Sequence, residues 1–521
     1  MKRILALLLA ALLAVTALAG CDAGPDDPYI PTGDGLTWDD PSEGPTGTDP
    51  EAPDAELTTV YSPDSTYNPY FSANLNNRAW MSLIYQGLFA VDSEYTAHPI
   101  LCESFWRSPD MMTYVFYLRS DAAFSDGTPV TQADVKASLD FALESARYKG
   151  RFGHVSSVSA TEGNSITVKL DTPYADLPLL LDMPILKQTE LNDIQPLGSG
   201  PFRLTQSAAG IRLVRVSNWW ADATLPFTGS AITLKSAADP TKVRDEFERA
   251  DVDLALADPG DPNYAAFRCD CELWDCESGV FLYLAVNINS KIFGKADIRG
   301  ALTHAIDREA LVEEFYHGYA RSATLAASPL SPWYDSILAA DYGYAPERFT
   351  QALADAGLEE PKIRLLVNSA DPQRVLMARR VAAMLESCGL PVTVVSYTGD
   401  DYRYTLNIGN YDLHLGKTRL SPNMDLSAFF SGSGALNYGS IDNARLYALC
   451  LDALANEGNY YNLLKDTAQD GRLVPILFET YAVYGERGVV SDLAPARDNV
   501  FYYDLGNTAR DVRLDARKEE G

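Results

Sequence analysis

The order of residues in this chain predicts an α/β protein. Short β-rich runs bounded by turn residues alternate with stretches whose apolar residues fall at helical spacing. Hydrophobic residues make up 46% of the chain, enough to bury large cores and to exclude wholesale disorder. The length of 521 residues allows roughly three domains, and no repeat at a solenoid period breaks it up.

The elements follow in order. Met1-Lys2-Arg3, the apolar run Ile4–Ala17 and Leu18-Ala19-Gly20 have the layout of a signal peptide over 1–20. The run is shorter than the roughly 20 apolar residues of a spanning helix. Residues 21–55 read as a disordered acidic tether, rich in Pro, Gly, Thr and Asp, with no Lys or Arg. Leu57–Tyr61 is expected as a strand stopped by Ser62-Pro63. Trp80, Leu83, Ile84 and Leu88 predict a helix within 77–89. Tyr114–Leu118 and Ile166–Leu170 read as strands, and Phe124–Thr128 as a turn in which Asp126-Gly127 tolerates positive φ. Thr131 is placed to cap a helix through Leu143, with Asp134 at N3. Further on, Ile363–Val367 (strand), Val375–Cys388 (helix) and Val392–Tyr397 (strand) repeat the alternation. Gly198 and Gly200 are expected to relax the backbone, and Pro201 to fix φ.

Charge and motif content narrow the function. Lys and Arg total 42 against 71 Asp and Glu, a formal charge of −29 that disfavours nucleic acid. Ten of the acids fall in the unpaired tether, so the total says little about a ligand. No G-x-S-x-G, H-E-x-x-H or Walker A motif occurs, so no enzyme is expected. The five His share no ligand spacing, and neither a metal nor a cofactor is expected. Cys269-Asp-Cys271-Glu-Leu-Trp-Asp-Cys276 lacks ordinary zinc spacing. A local disulfide is the expectation there, its pairing open, with Cys102, Cys388 and Cys450 adding options.

Several stretches together resemble a known family. They are Pro99–Trp106, Thr113–Arg119, Phe124–Pro129, Ala133–Val135, Pro196–Phe202, Tyr283–Asn287, Asp297–Arg308, Val474–Phe478 and Asn499–Phe501. In that order they resemble family 5 of the extracytoplasmic solute-binding proteins, the oligopeptide, dipeptide and nickel receptors of ABC importers. Leu18-Ala19-Gly20-Cys21 likewise resembles the bacterial lipobox, which makes Cys21 a lipidated N-terminus on the outer face of the cell membrane.

The family resemblance implies a two-lobed periplasmic-binding-protein fold (type II, cluster C-like) with a hinge and an inserted domain. Lobe I would take 56–95, 197–286 and 478–521, the insert 96–196, and lobe II 287–477. It implies a monomeric receptor that closes over a solute, by default a peptide. The solute then passes to a permease served by separate ATPase subunits. The alternatives are a non-peptide solute, an anionic one included, a secreted hydrolase, or a signalling receptor lacking transport.

The family's cleft loop is similar to Leu415–Leu426, but Lys417 stands where the family has Trp, and Arg419 near its amine-binding acid. Arg419 is therefore expected either to contact an anionic part of the ligand or to pair with an acid such as Asp425. Asn423, Tyr438, Tyr67, Asn68 and Asn77 are the other expected ligand contacts, with Tyr70 and Asn76 beside them on the first-lobe rim. Trp219-Trp220 is expected to pack rather than to contact ligand.

Overall fold

The computed structural model describes residues 57–503, apart from 65, 209, 223–228 and 360, together with 505 and 513–514. The signal segment, Cys21 and the tether lie outside the described residues.

Seventeen of the nineteen strands among the described residues build the body. They are β1 (Leu57–Tyr61), β2 (Phe89–Val91), β3 (Ala97–Pro99), β4 (Cys102–Arg107), β5 (Thr113–Leu118), β6 (Val155–Thr161), β7 (Ser165–Leu170), β8 (Phe202–Ser207), β9 (Gly210–Arg215), β10 (Ala231–Ser236), β11 (Leu254–Ala257), β12 (Glu272–Val286), β13 (Arg321–Ser322), β14 (Ile363–Asn368), β15 (Val392–Tyr397), β16 (Leu413–Arg419) and β17 (Leu473–Gly485). One large mixed sheet has the order β15-β14-β16-β12-β17-β11-β1-β10-β9-β8, with β13 also on β17. A separate antiparallel sheet, β4-β5-β7-β6, lies between β3 and β8 in sequence.

β12 and β17 run through the middle of the large sheet and belong to both of its halves. Val280–Val286 and Leu473–Phe478 pack in one core with β14 and β16. Cys276, Tyr481 and Val483 pack in another with β1, β8, β10 and the small sheet. The changeover falls at Glu277-Ser278-Gly279 and Glu479-Thr480, where the apolar runs of both strands turn polar. The β12–β17 register shifts at the same place, between Glu277 and Phe281. Gly279 has φ +70°, which a side chain would strain.

Local signals hold where the chain can satisfy them locally. Thr131 and Asp134 form a reciprocal capping box on the helix Gln132–Glu144. Asp371 caps Pro372–Ser387, with Pro at its first position. The helix expected within 77–89 is shorter: it spans Leu75–Met81. Beyond it the backbone is claimed by distant partners. Leu83 O accepts from Phe202 N, Ile84 O from Gly200 N, Gln86 O from Ile185 N and Leu88 O from Ile100 N. These bonds compete with helical pairing and win.

The same contacts explain the Pro196–Phe202 turn differently from its sequence reading. Gly198 and Gly200 have ordinary φ, and what they supply is closeness. A Cβ at Gly198 would lie 2.0 Å from Ile84 O, and one at Gly200 2.4 Å from Leu83 O. Trp219 and Trp220 close the far side, both donating to Ser199 O at 2.7 and 2.9 Å. All six described Cys are thiols. Cys276 lies on the order of 16 Å along extended chain from Cys271, beyond disulfide reach. Its thiol donates to Ala496 O instead. Gly198→Ala should destabilise the chain by about 3 kcal/mol in denaturant unfolding. A loss below about 0.5 kcal/mol would show that the turn can retreat from Ile84.

Candidate ligand-binding cleft

The alternation that buries Leu413 and Leu415 carries Lys417 and Arg419 outward along the same side of β16. They stand opposite the changeover in β12, Lys417 paired with Leu282 and Arg419 with Val280. Each enters a different charge cluster.

Lys417 enters an acidic one. Its Nζ lies 2.8 Å from Glu479 and 3.9 Å from Asp371. Tyr316 donates to Glu479 at 2.7 Å. Burial opposes the charge on Lys417, but Glu479, Asp371 and Asp258 outweigh it and hold the ammonium above its usual range. Asp258, just after β11, accepts from Gly260 N at 2.8 Å. Burial, reinforced by Glu479, raises its carboxyl to about 7. Arg374 lies 3.6 Å from Asp371, so three carboxyls face two cations at this end, and Asp258 is the one that burial keeps protonated. Nearby, Glu277 accepts from Tyr95 and Ser328 at 2.6 and 2.9 Å, and burial raises its carboxyl too.

Arg419 enters a basic cluster. Its guanidinium donates to Ser278 O and pairs with Asp498. Asp498 also takes Arg78 at 2.8 Å. Burial would raise the Asp498 carboxyl, but Arg419, Arg78, Arg147 and Arg497 push it down to about 2. Beside it lies a cavity of about 120 Å³ lined by Arg78, Arg147, Arg151, Arg497, Asp182 and Asp498 among others. Arg151 pairs with Asp182, and the Tyr148 ring lies 5.4 Å from Arg147 and 5.1 Å from Arg151. Arg78 Nε and Arg497 Nε and Nη1 are buried without a hydrogen-bond partner among the described residues. Four guanidiniums against two carboxylates make the cavity a receptor for negative charge.

Of the side chains expected to touch ligand, Arg419 alone lies in these clusters. Its partner is Asp498, not Asp425, which instead caps Ser427 and faces His154. The Asn68 amide is spent on Tyr70 N, Leu191 O and Asp193 O. The Asn77 amide is spent on both backbone groups of Ser62. Asn423 is buried and accepts from Ser421, and Tyr67 packs on Trp80. Tyr438 packs edge-on to His414 beside Leu366 and Tyr411. Arg78, Arg147, Arg497, Asp498, Asp258 and Glu479 escaped sequence reasoning. A carboxylate inside the apolar run Val474–Tyr484 was the one visible signal.

Between its ordinary value and 7, Asp258 holds a proton in the folded protein that the unfolded chain has released. Its contribution to stability is thus full below pH 4 and is lost as pH rises through 7. Asp258→Asn keeps the bond to Gly260 and removes that slope. The variant should gain on the order of 2–4 kcal/mol over the parent between pH 5 and 8, read by denaturant unfolding. Parallel pH profiles would contradict the burial of Asp258.

Comparison with known proteins agrees with this architecture. The nickel ABC transporter from Bacillus halodurans superposes with a TM-score of 0.69 at 19% identity, covering 87% of this chain and 99% of that one. The oligopeptide-binding protein AppA from Bacillus subtilis, in complex with a nonapeptide, superposes with a TM-score of 0.61 at 18% identity, covering 88% and 98%. These neighbours share the two-lobed fold. In sequence, the glutathione-binding protein GsiB of Escherichia coli (strain K12) is 27% identical over 316 residues, 58% of this chain. The match spans 61% of that relative's length. The family profile of bacterial extracellular solute-binding proteins, family 5 (middle region), matches residues 96–437, more than half of the chain. The chain belongs to the family 5 bacterial extracellular solute-binding proteins.

Proposed function

We propose that this protein is the solute-capturing component of an ABC importer and that its solute is a small acidic peptide or a peptide-like carboxylate. The observation that carries this is the four-arginine cavity with its buried, unpartnered donors. A carboxylate satisfies such donors at short range and with bidentate geometry. The carboxyls of Asp258, Asp371 and Glu479, shared with Lys417 and Arg374, would offer acceptors to the ammonium of the same ligand. Glutathione, named in a relative's function, carries both kinds of group. A cavity of 120 Å³ takes one carboxylate-bearing end, and the rest of a ligand would occupy the cleft as the halves part.

We take the hinge to lie at the polar changeover in β12 and β17, which moves the lobe I limit from 286, as set out from sequence, to about 279, because Val280–Val286 pack in the core of the other half. On this reading the chain is held at the extracytoplasmic membrane face through Cys21, acts as a monomer with a separate permease and ATPases, and performs no catalysis.

Titration calorimetry with reduced glutathione tests the ligand class. Binding to the intact chain is expected, and Arg147→Ala should weaken it about 10- to 100-fold, the loss of one charge-assisted contact. Equal affinity in both proteins, or tighter binding of neutral peptides than of acidic ones, would refute the acidic-solute reading.

A further inference from the structure

Asp498 is placed with unusual care. It sits in the turn Ala496–Asn499, whose ends exchange backbone hydrogen bonds of 2.9 and 3.1 Å. Its φ is +58°, a left-handed conformation uncommon outside glycine. Its N–H donates to Glu277 O at 2.7 Å, which docks the turn on the changeover in β12. The preceding Arg497 lies over Gly279, where a Cβ would fall 2.0 Å from its Nη2, and donates that nitrogen to Leu420 O. Both neighbours of the turn are thereby fixed, and the Asp498 side chain is 12% exposed.

The two carboxylate oxygens do different things. Oδ1 accepts from Arg78 of the helix Leu75–Met81, and Oδ2 from Arg419 at the end of β16. Arg78 packs with the first half of the sheet, and Arg419 comes from the second. One carboxylate therefore bridges two guanidiniums from opposite sides, which is how a bound carboxylate would lie. The neighbouring Arg78 Nε keeps no hydrogen-bond partner among the described residues. Holding a left-handed residue costs about 1 kcal/mol, which the hydrogen bonds of the turn and of the carboxylate offset.

We propose that Asp498 is a specificity-determining residue, an internal carboxylate that occupies the Arg78–Arg419 pair until a carboxylate of the ligand displaces it. This rests on the acidic-solute reading above. It adds that the empty site carries its own competitor, so a neutral group cannot release the pair. The net effect is a filter: only a ligand whose negative charge replaces that of Asp498 leaves the two guanidiniums satisfied.

Two variants test it. Asp498→Asn keeps the shape and removes the charge, and it should raise glutathione affinity about tenfold in titration calorimetry. Asp498→Gly suits the positive φ and empties the position. Excess formate should then raise the melting temperature of that variant and leave the intact chain unmoved, because formate fills the vacated pair. The proposal is overturned if Asp498→Asn binds glutathione no better than the parent, or if formate shifts both chains equally. Should neither the parent nor Asp498→Asn bind glutathione, the acidic-solute reading fails. The formate experiment then still decides the role of Asp498, rescue upholding it and its absence overturning it.

Discussion

The ladder between β12 and β17 is the constraint on which the molecule depends. These strands span Glu272–Val286 and Leu473–Gly485 and carry the sheet from one core into the other. Every other strand of the large sheet attaches to one half only. A ladder that must serve two cores cannot be apolar throughout. Where it leaves one core it needs groups that tolerate a cleft, and there the chain places Glu277, Ser278, Gly279, Glu479 and Thr480. The charge clusters are built on that interruption. Lys417 reaches Glu479, Arg419 reaches Ser278 O, and the 496–499 turn docks on Glu277.

Electrostatics in this cleft run against the whole-chain sum. The chain carries −29, yet the cavity beside Asp498 collects guanidiniums. The carboxyls around Lys417 and the guanidiniums around Asp498 form separate clusters, and β16 reaches into both. Buried charges need partners, and here each cluster supplies partners to some members while leaving others short. Asp498 is the member that ties the arginine cluster to the backbone changeover.

Much of the fold was legible because its determinants are local. β1 and β15 match their sequence boundaries, since β-branched runs end at turn residues in both. The Thr131–Asp134 capping box lies within four residues and needed nothing else. The helix expected within 77–89 overran because hydrogen bonds to Ile100, Ile185, Gly200 and Phe202 are invisible from periodicity. The site was less legible for the same reason. Arg419 was found through a resemblance, but its partner lies 79 positions away, and Arg78 is 420 positions from Asp498. Asn68 and Asn77 have the composition of a binding rim and the hydrogen bonding of turn supports. Glu277 and Glu479 were readable as charges inside apolar runs, yet a lone carboxylate in a strand does not announce its partners.

The position of β17 in the sheet carries a kinetic consequence. β17 lies between β12 and β11, so β11 is paired to the β12 side of the sheet only through a strand near the C-terminus. Leu254–Ala257 waits for Ala482–Gly485, more than 200 residues later, to complete its pairing. Such long-range closure is slow relative to local contacts. Each core has its own apolar cluster and can collapse first, leaving the joining of the halves as the late event. A chain emerging from its N-terminus would thus hold β11 with an open edge until its last tenth is released, and that edge is where mispairing would begin.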